Sequence, residues 1–154
     1  MVAVELCVAK LDVPSAEAAI AELARRLFAA GHVRETFELA ARKREKRSPT
    51  GLPFAPIAIA LPHAEPEHVV SQAIAIASLA RPVRFRQMGS PATILEVELV
   101  VMPALTAKEQ AADGLAALIE RLQSEPLRVA LAASTTSEAL SAALGDFEGP
   151  AHPR

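Results

Sequence analysis

Apolar positions along this chain change their period several times, and each change marks an element. Residues 2–8 are short, apolar and partly β-branched, which predicts a strand or an extended arm. Pro14-Ser15 then opens a helix with Ser15 as N-cap and Glu17 in the first turn. Ile20, Leu23, Ala24, Leu27 and Phe28 recur at helical spacing until Gly31 ends the run. A second helix is predicted over about residues 35–47, with Phe37, Leu39, Ala40 and Ala41, finishing in the basic run ARKREKR. Cations suit that end because they oppose the negative pole of the helix.

Residues 48–56 (SPTGLPFAP) read as a loop rich in proline and glycine. It feeds a short apolar run at 57–61, a buried strand that stops at Pro62, and then the loop PHAEPEH at 62–68. Residues 73–79 alternate Ile with Ala and Ser as a strand does, and 83–85 extend or edge it. After the turn Gly89-Ser90-Pro91, the segment ILEVELVVM at 94–102 is the strongest strand signal. Glu96 and Glu98 fall on one of its faces, and Leu95, Val97 and Leu99 on the other.

From Ala107 the period turns helical. Leu115, Leu118, Ile119 and Leu122 form one face, residues 127–133 a shorter helix after Pro126, and 136–144 a last one capped by Thr136 or Ser137. Interleaved strands and helices, without a long linker or repeat, predict a single α/β domain: a mixed β-sheet flanked by helices on both faces. The domain is expected over residues 1–147, with a flexible tail at 148–154.

Composition narrows the function. The 154 residues balance 16 Lys+Arg against 18 Asp+Glu, and 33 alanines supply much of the 51% hydrophobic content. Five Phe with no Trp or Tyr offer no platforms for stacking bases, and net charge −2 gives no pull towards phosphates, so nucleic acid is not an expected partner. The lone Cys7 excludes an intrachain disulfide framework and a cysteine-based zinc cluster. The start does not read as a signal peptide, and apolar runs fall far short of the roughly 20 residues of a membrane helix. A cytoplasmic protein without direct membrane insertion is expected.

Of four histidines, His32 follows Gly31 as a helix-end cation and His152 lies in the tail. His63 follows Pro62 at a strand end, where ligand sites of open α/β sheets gather. Two readings of it stand open: a loop histidine bonded to a nearby carbonyl, or a neutral nucleophile that accepts a transferable group. His63-Ala64-Glu65 fits the first half of a zinc deaminase motif, but the cysteine half is absent. His63, Glu65, Glu67 and His68 form a minority metal reading, since one short loop rarely wraps its ligands around a single ion. Within the basic run, an arginine folded back to His63 would suit phosphoryl transfer, with Ser48 and Thr50 as hydroxyl donors. No nucleotide cradle occurs, so no cofactor is expected and the phosphoryl donor is something other than bound ATP.

The string R-E-K-x-x-P-T-G, then I-A-I-A-L-P-H, from Arg44 to His63, resembles the IIA component of the bacterial sugar phosphotransferase system. It is similar to the fructose/mannitol-type superfamily (EIIA type 2) and most like its galactitol-type members, a likeness that runs through nearly the whole chain. The resemblance implies a mannitol-type IIA fold and a cytoplasmic phosphotransferase. His63 would take a phosphoryl group from the phosphohistidine of HPr and pass it to a IIB component, usually to a cysteine, for sugar uptake. It further implies Arg44 beside the phosphoryl group, and Thr50 either touching that group or ordering the loop. Mannitol-type members carry a second histidine whose place falls near Ala111; here its role is missing or supplied by Gln110. The loop between Thr50 and Ile57 is a few residues longer than in mannitol-type proteins, as suits the galactitol-like group. A regulatory, nitrogen-type phosphoacceptor and the His/Glu metal-binding module are the alternatives.

Overall fold

The computed structural model describes residues 2–111 and 113–145, so the expected tail at 148–154, with His152, lies outside the described residues. After a 3-10 turn at Val4–Leu6, strand β1 (Cys7–Leu11) leads into α1 (Ala16–Ala29) and α2 (Phe37–Arg47). Two short strands follow, β2 (Gly51–Leu52) and β3 (Ala58–Ala60), then a 3-10 turn at Pro66–His68. The long hairpin of β4 (Ala73–Gln87) and β5 (Ser90–Ala104) comes next. Helices α3 (Ala107–Ala111), α4 (Gly114–Leu122), α5 (Glu125–Ala133) and α6 (Ser137–Leu144) complete the order.

The sheet is mixed, as expected, and has five strands. β4 pairs with β1 in parallel and with β5 antiparallel; β3 runs parallel to β5 and antiparallel to β2. β2 closes back on the hairpin tip through Gly51 beside Gln87. Residues 74–79 are buried without interruption. Because successive side chains alternate faces, that run requires cover on both. α1 and α5 pack on β4 and β5, and α6 packs on β1. Past Leu79 the pattern alternates: Val83 and Phe85 are buried while Arg84 and Arg86 are exposed, so this half is covered on one face.

Local chemistry explains the helix limits. The Ser15 hydroxyl accepts the Ala18 N–H at 3.2 Å, and Ile20, Leu23, Ala24 and Leu27 face the core. Ser124 and Thr136 cap α5 and α6 in the same way. Four boundaries depart from the pattern. Residues 4–6 turn before β1, because the pairing of Cys7 with Ile76 sets where the strand begins. Pro82 does not end β4: the ladder shifts register between Ser78 and Val83, and the irregularity takes in the residue that lacks an N–H. β2, expected as loop, is two residues long and is defined by its pairing with Ala60 and Ile59 of β3 and with Gln87 of β4. Asp113, at φ 59°, separates α3 from α4.

Arg128 ties the loop before β3 to the helical half. It is 3% exposed, and its guanidinium donates to the carbonyls of Ile57 (3.2 Å), Ala55 (3.2 Å), Leu122 (2.9 Å) and Gln123 (2.7 Å). The group also lies 4.6 Å from the centre of the Phe54 ring. A planar fork can reach two segments at once, which a single ammonium cannot. Arg128→Ala is expected to cost about 3 kcal/mol in urea unfolding, with Arg128→Lys recovering less than half. A loss below about 1 kcal/mol would show that these bonds contribute little beyond those made with water in the unfolded chain.

Candidate functional site

The site gathers where α2, the β2 loop and the end of β3 meet. Gly51 allows this: a Cβ there would stand 2.6 Å from the Arg86 carbonyl oxygen, so β2 can lie on the hairpin only without a side chain. Thr50 is thereby brought beside Leu61, just past β3, and is 2% exposed. Its hydroxyl accepts the Leu61 N–H at 3.1 Å and donates to the Glu45 carboxylate, 2.7 and 2.9 Å from the two oxygens. Both options for the Thr50 hydroxyl's proton and lone pair are therefore taken up inside the protein.

His63 lies two residues on. Its Nδ1 is 2.7 Å from the Leu61 carbonyl oxygen. A carbonyl only accepts, so Nδ1 bears the proton and Nε2 keeps its lone pair. Burial holds the imidazole below its usual pKa of 6.5; the Arg44 charge adds to that, while the Leu61 bond and Glu65 act the other way. The ring is therefore neutral at pH 7.

Of the basic run, Arg44 and Arg47 turn towards this loop. Arg44 Nε is 3.3 Å and an Arg47 terminal nitrogen 3.6 Å from one oxygen of Glu65. Arg42 pairs instead with Glu38 at 3.8 Å, and the Ser48 N–H closes α2 on the Arg44 carbonyl. His63 also opens on a notch of about 10 Å³ shared with Ala64, Pro103, Leu105, Gln110 and Leu115. That is far smaller than the hundreds of Å³ of a typical small-molecule site. Gln110 of α3 thus stands at the same notch as His63.

The other histidines are engaged elsewhere. His68 Nδ1 meets Thr36 Oγ1 at 2.7 Å, and His32 Nδ1 meets Ser71 Oγ at 2.9 Å. Among the described residues no three His, Cys, Asp or Glu side chains converge as a metal site. Sequence reasoning overlooked Glu45. Its signal was present: it is the one acid inside ARKREKR, near the negative pole of α2, where a carboxylate is unfavourable without a specific partner. Burial pushes this carboxyl up to about 7, against the pull of its Thr50 bonds and Arg44.

The family model described as phosphoenolpyruvate-dependent sugar phosphotransferase system, EIIA 2, matches residues 1–146. The 2-O-alpha-mannosyl-D-glycerate-specific EIIABC component of Escherichia coli K12 is 31% identical over 137 residues, covering 88% of this chain and 20% of that protein. The chain therefore spans about a fifth of that relative's length. Among solved structures, the IIA mannitol domain of E. coli, in complex with phosphorylated IIB mannitol, superposes with TM-score 0.76 at 22% identity, over 94% of this chain and 96% of that one. The nitrogen regulatory protein IIA-Ntr of Neisseria meningitidis gives TM-score 0.71 at 20% identity, over 94% and 96%. These two likenesses are of fold.

The raised Glu45 carboxyl fixes a pH dependence of stability. With the folded value near 7 and the ordinary value at 4.5, folding takes up a proton in that window. The contribution is full below 4.5 and is lost as pH rises through 7. Relative to Glu45→Gln, wild-type protein should lose about 3 kcal/mol between those limits in urea unfolding. Parallel stability curves for the two proteins would mean that Glu45 titrates normally.

Proposed function

This chain belongs to the EIIA 2 family of the phosphoenolpyruvate-dependent sugar phosphotransferase system, whose IIA domains are phosphotransferases carrying phosphoryl groups to IIB, and we propose that His63 is its phosphoryl acceptor in sugar uptake. The observation that carries this reading is the 2.7 Å bond from His63 Nδ1 to the Leu61 carbonyl, which leaves Nε2 as the nucleophile. The donor is the phosphohistidine of HPr. The Nε2 lone pair forms a bond to phosphorus while the donor's P–N bond breaks, and that electron pair returns to the donor imidazole. Nδ1 keeps its proton, and the Leu61 carbonyl meets the positive charge gathering on the ring. In the second step a IIB nucleophile, a cysteine by family resemblance, attacks phosphorus and the pair returns to Nε2.

Arg44 is the charge that answers the phosphoryl oxygens. Glu65, half exposed, occupies the guanidinium in the resting site and is free to turn into solvent when a dianion arrives. Thr50 acts by ordering the loop and not by touching the phosphoryl group, since its hydroxyl is already bonded on both sides. Gln110, at the notch, takes the assisting place near Ala111. The shallow notch suits a reacting group delivered on the surface of another protein.

Uptake is favoured over a regulatory role because the 31%-identical relative is a sugar-specific component, whereas IIA-Ntr is alike in fold. The galactitol assignment rests on the longer loop after Thr50. Among the described residues no helix is long and apolar enough to cross a membrane, in keeping with work on the cytoplasmic side. The metal-binding reading has Glu65 held by two arginines and His68 by Thr36 against it.

Incubation with PEP, enzyme I and HPr should place acid-labile phosphate on wild-type protein and none on His63→Ala. Arg44→Ala should transfer about tenfold to a thousandfold more slowly with its unfolding midpoint unchanged. His68→Ala should stay within about twofold of wild type, a surface loop change away from the chemistry. Undiminished label on His63→Ala would refute the assignment.

A further inference from the structure

The hydrogen bonds that hold His63 do not end at Leu61. The Leu61 N–H donates to Thr50 Oγ1 at 3.1 Å, and the Thr50 hydroxyl donates to Glu45. The Thr50 N–H points at the same carboxylate, 3.1 Å from each oxygen. A hydroxyl has one proton. With that proton committed to a group that only accepts, the lone pairs of Thr50 remain for Leu61. Every direction in the series is then unambiguous: the Leu61 N–H can only donate and its carbonyl can only accept, and the carboxylate takes the one Thr50 proton that could have pointed elsewhere. Leu61 is fully buried, lies just past the last ladder residue of β3 and precedes Pro62, which has no N–H to help fix the turn.

We propose that Glu45 is a positioning residue for phosphoryl transfer, holding through Thr50 and Leu61 the carbonyl that keeps the proton of His63 on Nδ1 and leaves Nε2 free. This rests on the reading of His63 as acceptor. Glu45 itself touches neither the phosphoryl group nor the imidazole.

Glu45 also lines a cleft of about 420 Å³ between the start of α1, α2 and the β4–β5 hairpin. The charged groups around it are Arg42, Arg44 and Lys46 on its own helix, Glu17 on α1, Arg84 and Arg86 on β4, and Glu96 on β5. Burial outweighs the cations, so the carboxyl changes its charge near pH 7. Protonation removes the charge that strengthens both Thr50 bonds and leaves one carboxyl oxygen carrying a proton instead of accepting freely. The orientation of His63 therefore loosens as pH falls below that value, in a step separate from the imidazole's own, lower titration.

Nitrogen NMR of the full chain, read beside the rate of phosphoryl uptake from phospho-HPr on both sides of neutrality, tests this. Wild-type protein should show the Nδ1–H tautomer of His63, with an inflection near pH 7 in both ring-nitrogen shifts and rate. Glu45→Gln should abolish that inflection, mix the tautomers and slow uptake about tenfold above it. Thr50→Val should do the same at every pH, and Thr50→Ser should restore both tautomer and rate. A merely structural role would lower stability while leaving the tautomer and inflection of folded molecules in place, and that result overturns the proposal. Should both disruptive variants fail to fold, the wild-type titration decides: no inflection near 7 sinks the idea. Wild-type labelling of His63→Ala would instead defeat the acceptor reading, and the two failures are distinguishable.

Discussion

One buried residue, Leu61, joins the scaffold to the candidate chemistry. Its N–H answers to Thr50 and its carbonyl to His63, so the backbone at the end of β3 acts as the fixed part between a helix and an imidazole. This geometry depends on close approach elsewhere: Gly51 must lie against the Arg86 carbonyl for Thr50 to reach Leu61 at all. Arg128 then holds the loop that leads into β3 from the opposite end. Positioning by backbone is apt for a carrier, since a group taken up from one partner and handed to another needs a constant orientation more than a deep pocket.

Burial acts in opposite directions on the two titrating groups of this series. It lowers the imidazole of His63, favouring the neutral nucleophile, and raises the carboxyl of Glu45, at a cost in stability near neutral pH. Arg44 adds to the first effect and opposes the second. A guanidinium is thus already present where, in the proposed reaction, a phosphoryl dianion arrives, and Glu65 balances it meanwhile.

Much of the fold was legible because it depends on local periods. The face of α1 and its Ser15 cap follow from spacing and from a hydroxyl that satisfies an open N–H. The alternation in β5 shows which side of the hairpin is covered. The continuity of β4 through Pro82 was not legible, because a bulge is fixed by the partner strand. β2 was hidden for the same reason. At the site, the string from Arg44 to His63 singled out the segments that the fold brings together, yet could not tell whether Thr50 touches a ligand or a neighbour. Its partners, Glu45 and Leu61, are set by tertiary contact, and Glu45 looked like one more charge on a solvated helix end.

The central claim, that Nε2 of His63 takes the phosphoryl group while Nδ1 keeps its proton on the Leu61 carbonyl, can be read in one spectrum. Protein labelled with nitrogen-15 in its histidines, phosphorylated by PEP, enzyme I and HPr, shows through its phosphorus–nitrogen coupling which ring atom bears phosphorus. Coupling to Nε2 of His63, with Nδ1 still protonated, is the expected result. Phosphorus on Nδ1, or on a residue other than His63, would contradict the account.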